Sequence, residues 1–354
     1  MVNAMDLSKG RVLVTGGAGF IGSALVWALN RRGCDNIVIV DELECSEKWR
    51  HLGPLRFFDY LEAGDLLPAL GSHALGKFRL IVHLGACSST TERNAGYLVK
   101  NNFEFTKRLA TWGLESGARF VYASSAATYG DGSMGMSDGE PRPERLRPLN
   151  GYGFSKHLFD RYAGHHGLLD RIVGLKYFNV FGPNEDHKGE MRSVVHKAFV
   201  QVQQTGRIQL FKSYRSDYRD GEQRRDFLYV KDAVAMTLHL ATSEKATGIF
   251  NIGSGEAHTW LDLSSAVFQA LGREPQVEFI EMPEDLRARY QYFTKADIGK
   301  LRAAGYSEPI TPLAEAVKDY VVNYLVPGKG LDPATDKESK EVSGGKDNVS
   351  SEPA

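Results

Sequence analysis

Two side chains in the stretch NGYGFSK, residues 150–156, are spaced for acid–base chemistry. Tyr152 and Lys156 stand four apart, which puts them on one face of a helix. An ammonium beside a phenol favours the phenolate, as does an oxidised nicotinamide cation. Tyrosine then becomes a usable base near neutral pH. The spacing alone is a common coincidence. It gains weight from YASSAATYG, residues 122–130, where Ser125 closes an apolar strand. A hydroxyl at a strand's carboxyl end can bind the oxygen that Tyr152 would deprotonate. The plain alternative for Ser124 and Ser125 is a turn or a helix cap.

A second constellation is VTGGAGFIG, residues 14–22. Gly16, Gly17, Gly19 and Gly22 lie between the apolar run RVLVT and the helical pattern FIGSALVWALNRRG, and Asp41 ends the next apolar run, NIVIVD. In that context the glycines let the backbone approach a pyrophosphate, which rests on the helix N-terminus. Asp41 favours NAD, because a carboxylate accepts from a ribose 2′-hydroxyl and repels a 2′-phosphate. Lys48 and Arg50 follow closely and could hold a 2′-phosphate, although a surface charge is the ordinary role of such a lysine. The residues leave both dinucleotides open.

These groups need strand ends and helix starts to hold them. Apolar runs recur at residues 11–15, 36–41, 79–86, 119–126 and 171–178, separated by helical segments. That alternation indicates a parallel sheet covered on both faces, with its ligand at the carboxyl ends of the strands. The expected fold is α/β, a modified Rossmann doubly wound parallel sheet with a smaller mixed α/β substrate domain. Residues 1–177 with 224–258 are expected to form the dinucleotide-binding domain, and 178–223 with 259–326 the substrate domain. Residues 327–354 are polar and lack aromatics, the composition of a disordered tail.

The bulk properties exclude several classes. The 354 residues are 42% hydrophobic and 25% charged, enough to bury a sizeable core. A net charge of −1 gives no electrostatic reason for a nucleic-acid or anionic-membrane partner. No apolar run approaches the roughly 20 residues of a membrane helix, and the first residues lack the apolar core of a secretory signal. Cys34, Cys45 and Cys87 are an odd count without CxxC spacing. Neither a disulfide framework nor a metal site is expected, and a cytoplasmic location fits.

TGGAGFIG, the serine of VYASS, YGFSK and RDFLYVKD together resemble the extended short-chain dehydrogenases/reductases that act on nucleotide sugars. GACSSTTE (residues 85–92), ASSAATYG (123–130), YFNVFGPNEDHKGEM (177–191) and RYQYFTKADI (289–298) are similar to segments of the ADP-heptose 6-epimerases within that family. The resemblance runs from about residue 11 to 325. It implies an NADP-dependent epimerase, with NAD as the lesser choice, acting on the ADP-heptose of the lipopolysaccharide inner core. It also implies a homo-oligomer, a pentamer. It assigns Gly16, Gly19, Phe20, Ile21, Gly22, Asp41, Glu42, Lys48, Gly85, Ala86, Cys87, Ser88 and Asn101 to the cofactor, with Tyr152 and Lys156. Ser125, Asn179, Val180, Lys188, Phe211, Arg225 and Tyr290 go to the substrate.

The resemblance also gives a task to Lys188, which by composition alone is a solvated loop charge. Inverting an unactivated C–H centre needs transient oxidation to a planar ketone that turns over and is reduced on its other face. The hydroxyls of substrate and product then point to opposite sides, and one tyrosine cannot reach both. The HKG lysine is implied as the second acid–base group. The catalytic set is therefore expected to be Tyr152, Lys188, Ser125 and Lys156. Glu42, Leu84 and Glu190 depart from the family's common residues. Two alternatives remain: an epimerase or dehydratase of another nucleotide sugar, such as a UDP-hexose 4-epimerase, and an inactive dinucleotide sensor. GACSSTTE and HKGEM oppose the first, and the presence of Ser125, Tyr152 and Lys156 opposes the second.

Overall fold

The computed structural model describes residues 5–7, 9–139, 143–287 and 290–335. Its strands, in chain order, are β1 (Arg11–Thr15), β2 (Ile37–Asp41), β3 (Asp59–Glu62), β4 (Phe78–His83), β5 (Arg119–Ser125), β6 (Val173–Tyr177) and β7 (Asn179–Phe181). There follow β8 (Ile208–Phe211), β9 (Arg224–Arg225), β10 (Phe227–Tyr229), β11 (Gly248–Ile252), β12 (His258–Thr259) and β13 (Val277–Ile280).

Seven strands form one sheet in the order β11-β6-β5-β4-β1-β2-β3, every neighbouring pair parallel. This is the doubly wound Rossmann arrangement, with its order reversing between β1 and β4. Side chains alternate between the faces, as a strand's two-residue period requires. Val12 and Val14 enter one core with Leu25, Leu29 and Met236, while Leu13 enters the other with Leu66, Leu109 and Phe159. The first face is covered by the helices Phe20–Arg31 and Val230–Thr242, which pack on each other. The second is covered by Ala63–Gly71, Phe105–Glu115 and Gly151–His165. β3 carries no apolar run because it is the sheet's half-exposed edge.

Three small ladders lie beyond the main sheet: β7 with β10, β8 with β13, and β9 with β12. The β7–β10 ladder joins the segments expected in the two different domains.

The expected tail requires a correction. Its first residues are docked: Leu331 is 1% exposed and belongs to the main core. Its N–H donates to Asn184 Oδ1 at 3.0 Å. One leucine fitted to a gap does not alter a polar segment's composition, so the sequence offers no sign of it. Residues 336–354 of that tail lie outside the described residues.

Candidate active site

The glycine turn after β1 is packed to distances that only glycine permits. Gly16 has φ +70°, and a Cβ there would lie 2.7 Å from the Gly85 nitrogen; a Cβ on Gly22 would lie 1.9 Å from the Gly16 oxygen. Gly19 caps the helix Phe20–Arg31 without a side-chain hydrogen bond, and no acidic residue occupies the first turn. An open helix N-terminus of this kind favours an anion. The residues present therefore fit the pyrophosphate of a dinucleotide. Phe20 is buried and Ile21 half-buried at the helix start.

Asp41 braces this turn. Its Oδ2 accepts from Ala18 N at 2.9 Å and Gly19 N at 3.1 Å. Its Oδ1 accepts from Glu42 N and from Lys48 Nζ, both at 2.8 Å. Lys48 also donates to the Glu42 carbonyl. Asp41, Glu42 and Lys48 are thus one cluster at the end of β2.

The loop after β4 meets the turn from the other side. Gly85 N donates to Thr15 Oγ1 at 3.1 Å. Cys87 is clamped through both backbone groups by Asn102, N–H to Oδ1 and C=O to Nδ2, each at 2.9 Å. Asn102 also donates to Ser155 Oγ at 2.9 Å. Asn101, the expected cofactor residue, is half-buried in the π-helical turn Val99–Glu104. The clamp is its neighbour, and only the register of that turn distinguishes them. Ala86 is half-buried and Ser88 exposed in the same loop. Leu84, unusual for the family, packs against the main core.

Ser125, Tyr152 and Lys156 come together where β5 ends and the helix Gly151–His165 begins. Asn150 caps that helix, accepting from Gly153 N at 2.8 Å. A Cβ on Gly153 would lie 2.8 Å from the Ala127 carbonyl oxygen, so helix and strand-end turn touch. Ser125 Oγ accepts from Ala127 N at 3.1 Å. Burial pushes the Tyr152 phenol above its ordinary range, and the neighbouring Ser125 hydroxyl partly offsets this. The expected lowering of Tyr152 by Lys156 is not seen. Lys156, 4% exposed, directs its Nζ at the Ala123 carbonyl at 2.8 Å. Burial pushes Lys156 down to about 8, with Asp160 opposing the shift. Asp160 lies one turn further along the same face. It is fully buried and accepts from Tyr122 OH at 2.9 Å and Ser124 Oγ at 2.8 Å. Ser124 is therefore a support of the helix rather than a pocket group.

The substrate candidates gather at the small ladders. Asn179 Nδ2 donates to the Asp226 carbonyl at 3.0 Å and to Thr294 Oγ1 at 3.2 Å. Arg225 is 6% exposed and stacks between Tyr290 at 5.2 Å and Trp260 at 5.6 Å. Trp260 Nε1 donates to Tyr290 OH at 2.9 Å, which closes the aromatic clamp. Trp260, the first residue of the helix Trp260–Ala270, joins the site without a motif in the sequence to mark it. Val180 and Phe211 are half-buried in β7 and β8. Glu190 does not enter this cluster; its side chain is 97% exposed, with its carboxylate 3.5 Å from Lys197.

Lys188 lies in the short 3-10 turn Asp186–Met191 and reaches the glycine turn. Its Nζ sits 5.3 Å from the Phe20 ring centroid. Burial lowers its pKa from the ordinary lysine value, opposed by Glu185. His187 is pushed down to about 4, chiefly by burial, which keeps its imidazole neutral. Lys188 is thus no solvated loop charge; it is half-buried against the start of the helix Phe20–Arg31.

The chain is similar in sequence and in fold to known proteins. The family model described as "NAD dependent epimerase/dehydratase family" matches residues 12–253. A Nitratidesulfovibrio vulgaris protein named ADP-L-glycero-D-manno-heptose-6-epimerase is 51% identical over 314 residues, covering 88% of this chain and 97% of its own. A Fusobacterium nucleatum protein of the same name is 45% identical over 325 residues, covering 89% and 98%. Among solved structures, the Helicobacter pylori ADP-L-glycero-D-manno-heptose-6-epimerase superposes with a TM-score of 0.76 at 26% identity, covering 91% of this chain and 99% of that one. A Thermus thermophilus UDP-glucose 4-epimerase, solved in complex with NAD, gives 0.71 at 26% identity, covering 88% and 98%. The chain belongs to the NAD-dependent epimerase/dehydratase family, in its ADP-L-glycero-D-manno-heptose-6-epimerase branch.

Proposed function

We propose that the protein interconverts ADP-D-glycero-D-manno-heptose and ADP-L-glycero-D-manno-heptose at C6″, supplying heptose for the lipopolysaccharide inner core. The observation that carries this reading is Lys188, half-buried with its ammonium over Phe20 on the same glycine turn that would seat the dinucleotide. The relatives' names give the substrate. We assign the cofactor as NADP, with Lys48 and Glu42 at the ribose end and Gly16, Gly19 and Gly22 at the pyrophosphate. When bound, it supplies the hydride acceptor and donor of a net redox-neutral reaction.

The chain's own residues move the protons. Tyr152 is the base or acid at the heptose 6″-oxygen on one side of the pocket. Ser125 holds that oxygen by a hydrogen bond, and Lys156, one helical turn on, is the cation assigned to favour the phenolate once the dinucleotide is bound. Lys188 takes the corresponding role on the opposite side, and burial poises it for this by bringing its pKa toward neutrality. Arg225, with its guanidinium against Tyr290 and Trp260, and Asn179 bind the nucleotide sugar. Residues 1–177 with 224–258 serve as the dinucleotide domain, and 178–223 with 259–326 as the substrate domain. The enzyme works in the cytoplasm as a homo-oligomer, a pentamer.

The test is a pair of substitutions. Lys188→Met and Tyr152→Phe should each lower epimerisation at least ~100-fold, while thermal unfolding stays close to the parent. Epimerisation by Lys188→Met at close to the parent rate would remove Lys188 from the mechanism.

A further inference from the structure

The turn that carries Lys188 has little internal structure to hold it. It spans six residues and breaks at Gly189, with φ 51° and ψ −124°. Lys188 N donates to the Glu185 carbonyl at 3.1 Å, and Arg192 N to the Gly189 carbonyl at 3.2 Å. Its precision must therefore come from outside. One anchor is Glu185, fully buried, whose carboxylate accepts from Ser193 N at 2.5 Å and Ser193 Oγ at 2.6 Å. These bonds close the loop upon itself and do not say where it sits relative to the pocket.

The second anchor does. His51 is 5% exposed and lies in the short helix Trp49–Leu52, just beyond Lys48. Its Nε2 is 3.0 Å from Asp186 Oδ1, and its Nδ1 is 2.8 Å from the carbonyl oxygen of Ala18. Both partner atoms can accept from the ring, so His51 stands as a bridge between the glycine turn and the turn that carries Lys188. The bond from His51 is the largest influence holding the Asp186 carboxyl below its usual range. The His187 ring stands edge-on to His51 at 5.0 Å. Ala18 is in the glycine turn, two residues before Phe20, whose ring faces the Lys188 ammonium. The contacts form a closed circuit: Lys188 to Phe20, back along the turn to Ala18, through the His51 ring to Asp186, and on to Lys188.

We infer that His51 and Asp186 are positioning residues for Lys188, a latch that references the Lys188 turn to the glycine turn. The latch makes one element set both the cofactor's position and the reach of the second acid–base group. Without it, the turn stays closed by Glu185 but loses its reference to the pocket, and a displacement of about 1 Å is enough to cost a reaction roughly a hundredfold. The inference rests on the epimerase reading of Lys188.

The experiment uses the full chain with its cofactor and ADP-heptose. Asp186→Asn and His51→Gln are measured in the parent and in Lys188→Met. Asp186 is half-exposed on a surface turn, so its variant keeps the test usable should His51→Gln fail to fold. In the parent, each should lower kcat about tenfold or more, with KM and retained cofactor little changed. In Lys188→Met, each should change the residual rate by less than about twofold, since residues acting through one group are not additive. Equal losses in both backgrounds, or a loss confined to KM or cofactor retention, would overturn the latch. A separate arm measures the rate at which an amine-reactive reagent labels Lys188, read by peptide mass spectrometry. Asp186→Asn should label at least about threefold faster than the parent, the lower end of the net worth of one hydrogen bond. Unchanged labelling overturns the latch, whereas faster labelling in a chain that does not epimerise ADP-heptose overturns the epimerase reading alone.

Discussion

Lys48 and Asp41 meet at the end of β2, Nζ to Oδ1 at 2.8 Å. The carboxylate that spacing alone would give to a ribose hydroxyl is already bonded to two backbone amides of the glycine turn and to this ammonium. A 2′-phosphate arriving there would meet a lysine held in place. We therefore expect Lys48→Ala to weaken NADP roughly ten- to a hundredfold, the scale of a charge-assisted hydrogen bond, and NAD far less. Fluorescence titration of both dinucleotides checks this. Equal loss for both would mean that Lys48 supports the β2 end and does not read the phosphate.

Arg225 tests the substrate assignment. Its guanidinium is stacked by two rings and bonded to backbone carbonyls, a geometry that a lysine cannot reproduce. Arg225→Lys should raise KM for the nucleotide sugar at least about tenfold and leave retained cofactor unchanged. A normal KM would show that Arg225 only braces Tyr290 and Trp260.

Lys156 gives a pH dependence with a defined sign. Burial pushes it down to about 8 in the folded chain. Between about pH 8 and the ordinary lysine value the unfolded chain then binds more protons, so stability from this group rises with pH through that window. Below it, the buried ammonium is a constant cost. In cofactor-free protein, the stability difference between the parent and Lys156→Met should shift in the parent's favour by on the order of 2 kcal/mol from about pH 7.5 to about 9.5. Urea unfolding at the two pH values measures it. A flat difference would show that the folded protein stabilises the ammonium.

Leu331 tests the docked start of the tail. Leu331→Ala should cost about 2–4 kcal/mol, as for other buried leucines, read as a fall in the thermal midpoint. Truncation after Thr335 should leave that midpoint in place, and truncation after Val326 should lower it. Equal midpoints for the two truncations would show that the Leu331 contact contributes nothing.

Much of this site is legible in the sequence because it is local. The glycines before Phe20, Asp41 four strand residues on from Ile37, and Tyr152 with Lys156 on one helical face each follow from short-range spacing. What escapes is set by tertiary contact. His51 and Asp186 are 135 residues apart and meet only when the fold is complete. Asn102 differs from Asn101 only by the register of one π-helical turn. β3 is a polar edge strand that gains its ladder from β2, so no apolar periodicity announces it. Trp260 looks like a core residue until Arg225 is found against its face.

The most direct test of the account is to incubate the purified protein with ADP-D-glycero-D-manno-heptose deuterated at C6″ and determine the heptose configuration and label by NMR. The account predicts a mixture of the D-glycero and L-glycero sugars, deuterium retained at C6″ in both, and no net change in cofactor oxidation state. Unchanged configuration, or label lost to water during inversion, would contradict it.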